Sequence, residues 1–183
     1  MSILGFFKRL TSVSVPTPTS DGMAVSIPRT LSPSEEDALV KFNDLAFDHL
    51  PPDVRPSQQK AFSKLFLSGE SFFAAMLSSQ SPDCASTYLY TDINGAAEAA
   101  ESCAAIGRDH GIATTFSSTF ESGAVYEVIA AFDRWLQLHG RRFLQDTKVD
   151  WGYAGIVMKN ENIDAIFDAC TKLDIHLRLG CKQ

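Results

Sequence analysis

The sequence predicts an α+β protein, in which an N-terminal arm and a helical segment precede a β-α-β-α-β-α-β two-layer sandwich with helices on one face of a four-stranded sheet. Three observations predict this class. Residues 1–33 are rich in Ser, Thr and Pro, residues 34–80 carry apolar residues at helical spacing, and residues 85–183 alternate short strand-like runs with longer helical ones. Strands that alternate with helices of this length favour a sheet packed against a helical layer. We expect residues 34–183 to form a single domain.

The first ten residues are typical of a short amphipathic helix. Ile3, Phe7 and Leu10 lie at helical spacing, and Lys8 and Arg9 lie off that stripe. A helix of this length is marginal in water by itself, so it needs a surface to bind. The residues that follow, up to position 33, contain several prolines and have the composition of a flexible tether.

We expect this arm to be a docking element whose contacts come from Ile3, Phe6, Phe7 and Leu10. Burying one Phe side chain is worth about 1.5–3 kcal/mol, so two phenylalanines in water leave a large stabilisation unused. The acceptor that we expect is a groove on a partner protein or on a second copy of the chain. The alternatives are a membrane surface, which the basic residues among 1–10 would favour, and the chain's own domain.

Residues 34–80 predict a layer of helices. Ser32 or Ser34 can cap the first helix, a proline pair at 51–52 ends it, and a second helix begins near Pro56. Six phenylalanines in this segment bring a large apolar area, which we expect to lie in the core: Phe42, Phe47, Phe62, Phe66, Phe72 and Phe73.

Downstream of residue 85 the pattern predicts four strands and three helices. The strands are expected over 87–91, 112–120, 149–158 and 175–179, and the helices over 96–109, 122–143 and 162–173. The longest helix should bury one stripe of side chains: Val125, Val128 or Ile129, Phe132, Trp135 or Leu136, and His139.

Charge and hydropathy limit the functional classes. Residues 1–30 hold three basic residues against one acidic residue, so that, of a net charge of −6, the remaining residues carry −8. An acidic body disfavours binding to phosphate backbones, which requires a basic field. The sequence shows neither the pattern of a secretory signal nor an apolar run of the roughly 20 residues that span a bilayer. We therefore expect an intracellular, cytoplasmic protein.

Catalytic residues, a cofactor site and a metal site are not expected. Cys103 and His110 are seven residues apart, nearly two helical turns, which is too far for direct proton transfer. The four cysteines, which include Cys84, Cys170 and Cys181, form no C-x-x-C pair and have no histidines at zinc-ligand spacing. We expect them to be reduced thiols. No Gly-rich phosphate loop is visible.

Alternate residues of a strand share one face of the sheet, and this rule predicts an aromatic binding face. Six residues form three such pairs: Tyr88 with Tyr90, Trp151 with Tyr153, and His176 with Arg178. Tyr and Trp are common anchors of protein interfaces. Single-stranded nucleic acids also stack on aromatic platforms.

These observations favour a non-catalytic protein-binding or assembly subunit that docks through its arm and its aromatic sheet face. One alternative is a small intracellular enzyme whose site is assembled from residues distant in the sequence. A second is a single-stranded nucleic-acid binder that uses the aromatic face, although the acidic body disfavours it. A deep cavity with converging titratable groups would favour the enzyme, and a flat aromatic patch would favour assembly.

Overall fold

The computed structural model describes residues 27–80, 86–92, 95–117 and 124–180. Within these ranges the chain forms six α-helices and four β-strands, with one 3-10 turn at Asn160–Asn162. In chain order the elements are α1 (Pro33–Ala46), α2 (Arg55–Leu67), α3 (Phe72–Ser79), β1 (Tyr88–Asp92), α4 (Ala96–Asp109), α5 (Val125–Gln137), β2 (Arg141–Asp146), β3 (Gly152–Lys159), α6 (Ile163–Lys172) and β4 (Leu177–Leu179).

The four strands form one antiparallel sheet in the order β1-β3-β2-β4. Tyr88 of β1 lies opposite Ile156 of β3, and Phe143 of β2 lies opposite Val157 of β3. Because neighbouring strands are antiparallel, β1 runs parallel to β2 with β3 between them, and β3 runs parallel to β4 with β2 between them. The sheet therefore consists of two interleaved split β-α-β units.

Helices cover both faces of this sheet. On one face, α1, α2, α3 and α6 share an apolar cluster with Ile156 and Met158 of β3. On the other face, α4 and α5 share a second cluster with Phe143 and Val157. The α+β class is confirmed, but the expectation that helices lie on one face is wrong.

The two crossover connections explain why helices lie on both faces. From β1 to β2 and from β3 to β4 the chain moves two strands across the sheet in the same direction. The strands β1 and β3 run in opposite directions. If both crossovers have the right-handed sense that dominates in proteins, their helices must lie on opposite faces of the sheet. The observed positions of α4, α5 and α6 fit this rule.

The second strand is not where the sequence predicted it. Residues 112–117 form no strand, and residues 118–120 lie outside the described residues. Instead the strand is Arg141–Asp146, where the helix was expected to continue to residue 143. That helix ends at Gln137, and Gly140 has a φ of +67°. Glycine adopts the left-handed backbone conformation at little cost, and a residue in that conformation ends a helix. The residues after it are then free to pair as a strand.

Local signals in the helical segment are confirmed. The Glu35 carboxylate accepts hydrogen bonds from the Ser32 backbone N–H at 2.7 Å and from its hydroxyl at 2.6 Å, so Ser32 caps α1. The helix α2 begins at Arg55, directly before Pro56. Five of the six phenylalanines of the segment are buried, whereas Phe73 is only partly buried.

One apolar cluster joins the helical segment to the sheet. Phe42 of α1 and Phe62 of α2 lie in the same cluster as Leu144 and Ile156 of the sheet and Ile166 of α6. A shared cluster of this kind supports the single domain predicted for residues 34–183, which stays a prediction.

The strand β3 approaches its neighbours closely at two glycines. A Cβ atom on Gly155 would overlap the carbonyl oxygen of Leu144, and one on Gly152 would lie 2.6 Å from that of Thr91. The backbones could not pack this closely with any side chain at these positions.

Candidate functional site

A cavity of about 350 Å³ opens between α2, α3 and the turn that joins β2 to β3. Its apolar wall is formed by Phe66, Phe72, Phe73 and Trp151. We call it the Trp151 cavity. Aromatic side chains of α2 and α3 face a tryptophan in the turn between β2 and β3. The cavity therefore forms only when these elements pack together.

Three aromatic rings pack together beside this cavity, and two of them, Phe73 and Trp151, line it. The Trp151 ring centroid lies 5.2 Å from that of Phe73 and 5.3 Å from that of Tyr90, both edge to face. The Phe73 and Tyr90 centroids are 5.4 Å apart. Trp151 is nevertheless 55% exposed. We call Phe73, Tyr90 and Trp151 the aromatic rim. The packing holds a large exposed indole in a defined position.

The floor of the cavity is polar and its groups are paired. Asp146 is 1% exposed, and its Oδ2 accepts a hydrogen bond from the Tyr88 hydroxyl at 2.9 Å. Its Oδ1 accepts one from the Lys148 backbone N–H at 2.9 Å. Burial, together with the neighbouring Asp146 carboxylate, raises the pKa of Tyr88. Tyr88 therefore stays a neutral donor that orients Asp146, and both carboxylate oxygens are already in use.

Charges of both signs lie at the mouth of the cavity. Arg29, Lys148 and His176 line it together with Asp174. The Nε2 atom of His176 lies 3.0 Å from Oδ1 of Asp174, and both side chains are well exposed. This mixture favours neither an anion nor a cation as the occupant.

The predicted aromatic face is divided between the two sides of the sheet. Tyr88 and Tyr90 share a side, as predicted, although Tyr88 is buried. Trp151 contacts Tyr90 on that side, whereas Tyr153 packs against the cluster on the opposite side. The alternation rule fails for the second pair because Trp151 precedes the first residue of β3.

The third predicted pair is divided as well. His176 precedes β4 and lines the Trp151 cavity. Arg178 lies within β4, donates to Oε1 of Gln145 at 3.0 Å, and lines a separate cavity of about 280 Å³ together with Tyr153. The structure thus places Trp151 and His176 in the lining of one cavity and Tyr153 and Arg178 in that of another. Tyr90 contacts Trp151, and Tyr88 lies behind the first cavity, bonded to Asp146.

Several other predicted residues cannot be placed. Ile3, Phe6, Phe7 and Leu10 lie outside the described residues, as do Cys84 and Cys181. Cys103 and Cys170 are buried in the two apolar clusters. Burial raises the pKa of the Cys170 thiol to about 12, which keeps it in the unreactive thiol form.

A stacked pair of histidines, of which His110 is buried and His49 is partly buried, was not anticipated from the sequence. The rings of His49 and His110 are stacked, with centroids 3.8 Å apart. Arg141 donates to the His110 carbonyl oxygen at 3.0 Å, and Thr87 Oγ1 lies 3.5 Å from His49 Nε2. Burial lowers the pKa of His49 to about 4 and holds that of His110 well below its ordinary value. Residues so far apart in the sequence carry no local signal of this contact.

We expect acid to destabilise the fold through these histidines. A lowered pKa in the folded state means that the unfolded chain binds more protons between pH 6.5 and 4, so stability is present above this window and is lost as the pH falls through it. For His49 alone the free energy of unfolding should fall by about 2 kcal/mol from pH 8 to pH 5. Urea denaturation at both pH values measures it.

A ring that cannot be protonated tests the cause. His49→Phe keeps an aromatic ring beside His110 and should remove this part of the acid loss. His139→Gln, at an exposed position, is the matched control and should behave as the parent chain. An unchanged loss in His49→Phe would mean that other groups cause it.

Among the residues that the structure describes, no group of three or more His, Cys, Asp or Glu side chains is placed to hold a metal ion. No helix in these same ranges has the length and apolar character needed to cross a membrane. Comparison of the chain with models of protein families, with curated proteins and with solved structures finds no match.

Proposed function

We propose that the chain is a non-catalytic assembly subunit of the cytoplasm whose contact surface is the aromatic rim. The observation that carries this proposal is Trp151, which is 55% exposed and held edge-on by Phe73 and Tyr90. Tryptophan is enriched among the residues that dominate binding energy at protein interfaces. A side chain that is already ordered also loses little entropy on binding.

The other two candidate functions have less support. A catalytic carboxylate needs an oxygen that can reach the substrate, but both oxygens of Asp146 already accept hydrogen bonds. A nucleic-acid platform needs several aromatic rings on one open face, but Tyr88 is buried and Tyr153 lies on the opposite side of the sheet.

The solution mass of the full chain tests the proposal. We expect reversible self-association that increases with concentration in sedimentation equilibrium. Trp151→Ala should raise the dissociation constant about 30-fold or more, because an interface anchor is worth about 2 kcal/mol.

A second exposed apolar residue provides the control. Leu138 is 82% exposed beyond the end of α5, in the helical layer on the opposite side of the sheet. Leu138→Ala should leave the dissociation constant unchanged, and thermal melting should show that both variants fold. Equal weakening by both substitutions, or a monomer at every concentration, would contradict assembly through the rim.

A further inference from the structure

The described part of the chain begins at the edge of the Trp151 cavity. Arg29 lines the cavity, and its backbone N–H donates to the Leu67 carbonyl oxygen at 2.8 Å. Its guanidinium lies 4.3 Å above the Phe66 ring and donates to the Leu173 carbonyl oxygen at 3.2 Å. These contacts hold Arg29 against the ends of α2 and α6. The preceding residues therefore leave the domain beside the cavity, at Ile27, which is 78% exposed.

The surface next to this point is suited to an apolar occupant. Phe66, Phe72 and Phe73 line the wall, and more than half of Trp151 is open to solvent. Phe66 and Phe72 are themselves buried, so the exposed apolar surface here is that of Trp151 and part of Phe73. An aromatic-lined cavity beside an exposed indole is suited to binding apolar groups. Asp146 and Asp174 are balanced in the lining by Arg29 and Lys148, so the wall itself favours an apolar occupant over a charged one.

The N-terminal segment has the matching chemistry. Residues 3–10 contain Ile3, Phe6, Phe7 and Leu10, and Lys8 and Arg9 carry positive charge between them. Phenylalanine side chains can pack against the aromatic wall, and the two basic residues are attracted by an acidic body.

We propose that residues 3–10 of the same chain cover the Trp151 cavity, with Phe6 and Phe7 against the aromatic rim. Sixteen residues separate Leu10 from Ile27. A tether of that length, if it behaves as a random coil, has an r.m.s. reach of about 20–24 Å. It gives an effective concentration on the order of millimolar at a site beside its own anchor. At micromolar protein, the chain's own segment therefore competes effectively with that of a second copy.

This inference rests on the proposed function, because the covered surface is the rim through which assembly is proposed. The covered chain cannot associate through the rim. The apparent association constant is therefore lower the smaller the fraction of chains that are uncovered. The segment then acts as an internal competitor that a second copy must displace, and not as the docking element that the sequence alone suggests.

Quenching of Trp151 fluorescence by acrylamide tests the cover directly. The chain has two tryptophans, so a Trp135→Phe background leaves Trp151 as the single reporter. At low micromolar protein, quenching should be about twofold or more weaker in this parent than in the full chain that also carries Phe6→Ser and Phe7→Ser. Val13→Ser with Val15→Ser, in the tether, is the matched control and should keep the parent's shielding.

Three results would overturn the cover. The first is equal quenching in the parent and in the Phe6→Ser, Phe7→Ser chain. The second is shielding that appears only as the concentration rises, together with the mass of two copies, because the segment then fills a second copy's cavity. The third is shielding that appears only with vesicles of phosphatidylserine and phosphatidylcholine, because the segment then binds a membrane.

The dissociation constant for self-association provides a second test, because the two models predict opposite changes in it. Releasing the cover with Phe6→Ser and Phe7→Ser should strengthen association, whereas docking of the segment on a second copy predicts that the same substitutions weaken it. If the Phe6→Ser, Phe7→Ser chain also stays monomeric at every concentration, the proposed assembly function is wrong, and the quenching experiment still decides whether the segment covers the cavity.

Discussion

Replacing Asp133 by Ala should lower the free energy of unfolding by about 3–5 kcal/mol. The side chain of Asp133 on α5 is only 8% exposed. Its Oδ1 accepts hydrogen bonds from Nε of Arg142 at 3.1 Å and from the Phe143 backbone N–H at 2.8 Å. Its Oδ2 accepts from Nη2 of Arg142 at 3.0 Å and from Gln137 at 3.1 Å. Removing the carboxylate leaves a buried N–H unpaired and a guanidinium without its counter-charge.

An exposed ion pair on another helix isolates the effect of burial. Asp168 and Lys172 on α6 are 3.0 Å apart, and their side chains are 56% and 45% exposed. Asp168→Ala should cost about 0.5 kcal/mol or less, because water solvates both charges in either state. Urea denaturation of the two variants gives the comparison. Similar losses would mean that the contacts of Asp133 add no stability beyond that of a surface pair.

Phe132→Ala should cost about 3–5 kcal/mol. Phe132 is fully buried on α5, with ring centroids 5.3 Å from Phe116, 5.7 Å from Trp135 and 6.4 Å from Phe143. Alanine would leave a cavity between the helix and the sheet, which the surrounding rings could fill only in part. Urea denaturation measures the loss, and an unchanged m-value would show that the denatured state is not altered.

Arg134 lies on the exposed face of the same helix and serves as the control. Arg134→Ala should change the free energy of unfolding by about 0.5 kcal/mol or less. Comparable losses for Phe132→Ala and Arg134→Ala would show that the buried face of α5 is assigned wrongly.

The helices were predictable because their signals are local. Ser32 and the apolar stripe through Phe132 act within a few residues, and α1, α2 and α5 begin near the predicted positions. The proline pair at 51–52 was expected to end α1, but that helix ends earlier, at Ala46. The same kind of signal was present but misjudged at Gly140. The predicted helix ran through this glycine into the strand Arg141–Asp146. The described residues 112–117 belong to a segment with strand propensity, but they form no strand.

The candidate site was predictable only where alternation within one strand applies. Tyr88 and Tyr90 lie in β1 and share a side of the sheet, as expected. Trp151 and His176 lie just outside their strands, so a period of two could not place them. Their position at the cavity depends on how the turn between β2 and β3, and the segment before β4, pack against α2 and α3.

By itself the sequence determined the α+β class, the helical segment and the buried stripe of α5 as far as Leu136, because caps and apolar spacing act over a few residues. His139, which was expected in that stripe, lies beyond the helix and is exposed. The tertiary structure alone decided the pairing of β4 with β2 and the placing of helices on both faces, because the order and direction of the strands set where each crossover passes. It also decided which distant side chains meet, as His49 meets His110 and Trp151 meets Phe73. Such contacts form only when separate elements pack together, so no spacing in the sequence records them.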